Sequence, residues 1–228
     1  MELNSWNTKH HGNFETLPPE RQEAIMRASV EGFGRNDYKS ASTEEIAHRA
    51  KMSKGLLFFY FRNKKSLYVQ TINYLMDRVV EWVVDDNFYA IDDFFELMLY
   101  AGEQKMATLG KWPWAVEFSI RAFYADHRDI KDTMAGWTKQ QVDTMYDRFF
   151  EHVDFGRFRD EVSPREVLDM LIMLGDGYLH QHCSNHTPID LNAFMDAYRQ
   201  WVEILRYWAY KPEYLGGQSK HVEALLKG

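Results

Sequence analysis

A single cysteine, Cys183, stands in the 228 residues, so no intramolecular disulfide is available and a reducing compartment is expected. No uninterrupted apolar run approaches the roughly 18 residues of a membrane-spanning helix, and no membrane partner is expected. The opening Met1-Glu-Leu-Asn-Ser-Trp lacks the apolar core of a leader peptide, which points to a cytoplasmic location. Alternating apolar residues are also scarce. Apolar positions recur instead at intervals of three and four, which predicts an all-α chain. A Gly-rich phosphate loop, a nucleophile elbow, a His-Glu-x-x-His pair and a recognisable acid–base pair are all missing. The chain is therefore not expected to be an enzyme, and no cofactor is implied.

What is present is an uneven distribution of charge. The net charge is −7, which by itself argues against nucleic acid. Residues 1–80 nevertheless carry 12 Lys/Arg against 9 Asp/Glu, leaving 15 against 25 for residues 81–228. Seven basic and two acidic residues lie between Lys39 and Lys65. A basic head on an acidic body is the pattern of a polyanion-binding module joined to something else.

Residues 1–16 read as a flexible arm. Pro18-Pro19 opens a helix to about Arg35, with Ile25, Ala28 and Phe33 inward. Ser42-Thr-Glu-Glu45 is a capping box that starts a short helix through Ala50, and Ser53 caps the next one. Longer helices are expected at about 64–85, 91–109, 114–125, 129–153, 164–184 and 191–210. Residues 43–62 then satisfy the packing rules of a helix-turn-helix. Ala47 is the small residue at the helix crossing, Ile46, Ala50, Met52 and Leu57 face inward, and one face of the second helix stays free for a major groove.

Beside that pair lies Ser53-Lys-Gly-Leu-Leu-Phe-Phe-Tyr-Phe-Arg-Asn-Lys64. Ser53, Lys54, Gly55, Leu57, Tyr60, Phe61, Asn63, Lys64 and Leu67, with Phe33, Ile46 and Ala47 upstream, are in register with the pattern of TetR-family bacterial transcriptional regulators. Over residues 21–67 the chain resembles that family closely. The resemblance implies an N-terminal three-helix DNA-binding head, here residues 17–63, and a helical ligand-binding and dimerisation bundle, residues 64–228. It implies that Lys54, Gly55 and Leu56 face base edges or adjacent phosphates. Phe58, Phe59 and Tyr60 would lie along backbone and groove, with Ser42 and Thr43 on the backbone. Lys64, at the start of the next helix, is expected to meet a phosphate.

Several positions depart from the family pattern. Lys51 replaces a turn glycine, so it either adopts a left-handed conformation at some cost or the turn differs. Asn36-Asp37 stands where a glycine ends the first helix, and both types tolerate the left-handed conformation. Leu56 and Phe58 replace a threonine and a tyrosine, so two hydroxyls are lost and apolar contact is favoured.

In the body, helix 164–184 is apolar nearly all round, which requires it to touch more than its own core. The resemblance implies that helices 164–184 and 191–210 pair in a homodimer, suited to a near-palindromic double-stranded operator. It also implies a pocket for a small, largely apolar effector, with Met98, Trp114, Phe118, Met134 and Trp137 as candidates. Asp176 interrupts an apolar helix and is a candidate for selecting a cationic effector. Glu117 and Arg121 are spaced as a surface ion pair. The expected function is a homodimeric repressor released by its effector. Alternatives are an activator or ligand-independent regulator of the same fold, a metal sensor using His182, Cys183 and His186, and, remotely, a metal-dependent hydrolase on the same cluster.

Overall fold

Ten α-helices succeed one another in the computed structural model, which describes residues 13–112, 114–184 and 189–215, and among these residues no strand forms. They are α1 (Pro19–Arg35), α2 (Thr43–Arg49), α3 (Lys54–Phe61), α4 (Lys64–Val83), α5 (Asp86–Ala90), α6 (Phe94–Leu109), α7 (Ala115–Phe123), α8 (Lys131–Phe149), α9 (Pro164–Ser184) and α10 (Leu191–Ala209). The expected helix from 91 to 109 begins slightly later, at Phe94, and a short α5 that the sequence pattern left unassigned precedes it. Asp85 caps the short α5 by accepting from Phe88 N at 2.9 Å, Ile91 is extended, and Asp93 caps α6 through Phe95 N and Glu96 N. Two aspartates that satisfy orphan amides thus start the two helices.

The chain divides into two compact units, Met1–Asp77 with Trp112–Met134, and Arg78–Lys111 with Ala135–Gly228. In the first, α1 packs against both α2 and α7. Glycine makes both contacts possible. A β-carbon on Gly32 would stand 2.4 Å from Ile46 Cγ1, and one on Gly34 would stand 2.5 Å from the Trp114 carbonyl oxygen. The core is aromatic: Phe33, Tyr68 and Phe118 are fully buried, with Phe33–Tyr68 ring centres 4.9 Å apart and Phe33–Phe118 5.9 Å. Phe14, in a single 3₁₀ turn capped by Asn13, lies 5.1 Å from the Phe61 ring. The last residues of the expected arm are therefore packed on this unit.

In the second unit α10 packs on α6 and α9. Its polar centre is the Asp93 carboxylate, whose side chain is 4% exposed and which receives Arg157 Nη1 and Arg206 Nη2, each at 3.0 Å. The buried Tyr210 hydroxyl accepts from Phe94 N at 3.2 Å, and Phe158 pairs with Tyr210 through an isolated antiparallel bridge. α9 is not buried all round as its composition predicts. Val167, Leu168, Leu171 and Leu179 are inside, whereas Met173 is 64% and Leu174 41% exposed. No helix among the described residues is long and apolar enough to cross a membrane.

Candidate nucleic-acid interface

Three short-range caps build the first unit's helix pair and its exit. Ser42 accepts from Glu45 N at 3.3 Å, Ser53 from Leu56 N at 3.1 Å, and Asn63 from Ser66 N at 2.8 Å. The capping box forms only its serine half, because the Glu45 carboxylate turns to Arg49 Nη2 at 2.7 Å. Between α2 and α3, Lys51 takes φ 50, the left-handed conformation, and Arg21 steadies the turn by donating to the Lys51 carbonyl at 3.1 Å. At the other departure the outcome differs. Asn36 is extended, at φ −129, and stops α1 by donating to the Gly32 carbonyl at 3.1 Å. Asp37 holds the following turn through Ser40 N at 2.7 Å and through the Ser40 hydroxyl.

α3 leaves into a tight turn. Arg62 has φ 60 and ψ −53, and Asn63 N donates to the Phe61 carbonyl at 2.6 Å, a γ-turn of the rare positive-φ kind. It redirects the chain within two residues, so that α4 begins at Lys64. The Lys64 ammonium donates to the Lys39 carbonyl at 3.1 Å and lies 5.0 Å from the Tyr38 ring centre. Burial pulls its pKa below the ordinary lysine value, partly opposed by Asp37. The cation expected to meet a phosphate therefore also ties the α1–α2 loop to the start of α4.

On α3 the inward and outward faces separate cleanly. Leu57 and Phe61 are buried. Phe58 and Tyr60 are half-buried on the flanks, while Leu56 is 41% and Phe59 51% exposed. Nothing but Ser53 Oγ, at 3.9 Å, comes within 4 Å of a β-carbon built on Gly55. Lys54 is exposed and lies 3.8 Å from the Glu44 carboxylate, a pairing that solvent weakens. Ser42 is exposed and Thr43 half-buried at the start of α2. Of the residues named from the sequence for DNA contact, Ser42, Lys54, Gly55, Leu56 and Phe59 are exposed, whereas Thr43, Phe58, Tyr60 and Lys64 are half-buried.

The six effector-pocket candidates named from the sequence are distributed between the two units. Trp114, Phe118 and Met134 fall in the first unit, and Met98, Trp137 and Asp176 in the second. Phe118 is core against Phe33 and Tyr68. Trp114 adopts the left-handed conformation at the start of α7 and lies under the Arg35 guanidinium. Asp176 is half-buried, and its charge opposes the burial-driven lowering of the Lys105 pKa. Arg121, expected to pair with Glu117, donates to the Gly34 carbonyl at 3.2 Å. Reading the sequence missed Gly32, Gly34 and the Asp93 cluster. An Asp-Phe-Phe-Glu helix start was the one visible signal for the last. His182 lies 4.7 Å from the Tyr178 ring, whereas the Cys183 side chain and His186 lie outside the described residues. Among those residues no three ligating side chains form a metal group.

A capped helix pair presenting the outer face of its second helix, with only helices elsewhere among the described residues, is a helix-turn-helix arrangement. Residues 25–71 match the family model of bacterial regulatory proteins of the tetR family. A curated relative, the uncharacterised HTH-type transcriptional regulator YuxN of Bacillus subtilis (strain 168), is 34% identical over 59 residues, 26% of this chain and 20% of that protein. The aligned segment thus spans about one fifth of that relative's length. In fold the chain is similar to the fatty acid degradation regulator FadR from Bacillus halodurans, with a TM-score of 0.66, 17% identity, and 86% of this chain and 98% of that one covered. It is also similar to SmeT, the repressor of the Stenotrophomonas maltophilia multidrug efflux pump SmeDEF, with a TM-score of 0.62, 15% identity and coverage of 88% and 94%. Residues 25–71 thus carry a tetR-type DNA-binding segment, and the solved structures show that the chain shares their fold.

Proposed function

We propose that this protein is a cytoplasmic, homodimeric repressor that binds a near-palindromic DNA operator and is released by a small, largely apolar effector. DNA binding is assigned to residues 17–63, and effector binding and dimerisation to residues 64–228. The observation that carries the reading is the outer face of α3. It is solvent-exposed at Gly55, Leu56 and Phe59 and capped at Ser53, inside the segment that matches the family. Dimerisation is supported by exposed apolar side chains on both C-terminal helices, Met173 and Leu174 on α9 and Ile204 and Trp208 on α10. Exposed apolar surface of this kind is a mark of an interaction site. Gly177, with nothing within 4 Å of its β-carbon position, adds a place on the same helix where another backbone can approach.

Repression is supported by the fold shared with SmeT, itself a repressor. For the effector, Met98 and Trp137 supply apolar surface and Asp176 with Lys105 a polar pair in the second unit. The test is fluorescence anisotropy of the purified protein with duplexes selected from a random pool, repeated across a salt series. Enrichment of a near-palindrome whose affinity falls steeply with salt is the expected result, since phosphate contacts release counterions. Binding without an enriched sequence, or no binding at any salt, overturns the reading.

A further inference from the structure

α3 has an unusual chemical poverty for a helix that reads DNA. From Lys54 to Phe61 it contains one cation and no Arg, Asn, Gln, Asp or Glu. Base edges in the major groove are told apart by hydrogen bonds to those side chains and by apolar contact with the 5-methyl group of thymine. At about 100° per residue, the direction opposite buried Leu57 and Phe61 is occupied by Phe59, with Gly55 one turn earlier and Leu56 beside them. None of these three side chains can donate or accept a hydrogen bond.

The groups at the margins have other engagements. The Ser53 hydroxyl accepts from Leu56 N. Lys54 lies near Glu44, and Tyr60 is half-buried with its ring 5.3 Å from Phe59. What the centre of the face offers is apolar surface: Leu56 at 41% and Phe59 at 51% exposure, beside an open Gly55 that lets the helix approach closely.

We propose that Leu56 and Phe59 determine operator specificity by packing on thymine 5-methyl groups, so that the half-site is read chiefly through its thymines rather than through hydrogen bonds to guanine or adenine. This rests on the DNA-binding reading above. In the major groove thymine alone among the four bases carries a methyl. Lys54, at the first turn, then supplies a single polar contact at one end of the half-site.

The experiment takes a duplex recovered by selection from a random pool and replaces each half-site thymine by deoxyuridine, which removes the methyl and keeps every hydrogen-bonding group. Anisotropy at fixed salt is expected to show a loss of about fourfold in affinity per contacted methyl, the equivalent of one buried methylene. In the Leu56→Ala/Phe59→Ala protein the uracil penalty should vanish, as a double-mutant cycle requires. Both side chains are exposed, so folding should be retained, and circular dichroism checks it. Selective binding that ignores uracil overturns this inference and leaves the DNA-binding reading standing. A uracil penalty that survives in the double variant shows that other residues read the methyls, and also overturns it. Absence of selective binding overturns both.

Discussion

The two units of this protein are held together by contacts of different reach. In the first, the decisive polar contacts close over three residues: Ser42 to Glu45, Ser53 to Leu56, and Asn63 to Ser66. In the second, the decisive contact is Asp93, which gathers Arg157 and Arg206 from 64 and 113 residues away. A neighbouring cap can be written into a short motif, and a motif can be matched to a family. A carboxylate that waits for two distant guanidiniums leaves no local pattern. This is why residues 25–71 match a family model, whereas the full-length solved structures resemble the chain at 17% and 15% identity.

The largest effect should come from breaking the second unit's centre. Asp93→Ala leaves two arginines facing a buried gap and is expected to cost about 3–5 kcal/mol, read as a lower urea midpoint. A loss below about 1 kcal/mol would show that the remote contacts do not hold this unit. Next comes the close packing of the first unit. Gly34→Ala drives a methyl against the Trp114 backbone and should cost about 2 kcal/mol. In Gly136→Ala, where nothing lies within 4 Å, the same change should add about 0.5–1 kcal/mol by removing a helix glycine. Equal effects of the two would mean that the glycines do not mark helix approach.

A third comparison concerns strain. Lys51 sits at φ 50, and Lys51→Gly should stabilise the protein by about 1 kcal/mol, because Arg21 bonds the Lys51 backbone carbonyl and the variant keeps that bond. Calorimetry showing no gain would place the cost of the left-handed turn elsewhere.

The smallest effects are electrostatic and belong to the second unit. Hydrogen bonds from Phe88 N and then the Tyr100 hydroxyl hold the Asp85 carboxyl below the ordinary aspartate value of 3.8. Its contribution is complete above that pH and is lost as pH falls through the lower folded value. The thermal midpoint of Asp85→Asn should lie below wild type at pH 6, and the gap should narrow as pH falls below 3.8. Lys105 has the opposite sense. Burial, opposed by Asp176, pulls its pKa below 10.5, so the charged ammonium costs stability at neutral pH. That cost is relieved only as pH rises from the folded value toward the unfolded one. Lys105→Met should therefore be more stable than wild type at pH 7, with the advantage shrinking in alkali.

Much of the fold was legible because apolar spacing and caps are local properties. The boundaries of the helices at Lys64, Pro164, Ser184 and Leu191 were read directly, and the inward pair Leu57 and Phe61 followed from helical periodicity. The short α5 at Asp86–Ala90 was not legible, since aspartate is as common on a helix surface as at its start. Asp176 reads as a lone charge in an apolar helix because Lys105, the cation that feels its charge, lies 71 positions earlier in the chain.

The sequence by itself determined the all-helical class, the family of the head and the two faces of α3, since each depends on residues within a few turns of one another. Tertiary structure alone decided that Phe118 is buried in the first unit's core, that Lys64 ties a loop, and that Met173 and Leu174 are left uncovered. Those outcomes depend on which surfaces meet. Burial is a property of the assembled chain, and identical apolar side chains become core or interface according to what packs over them.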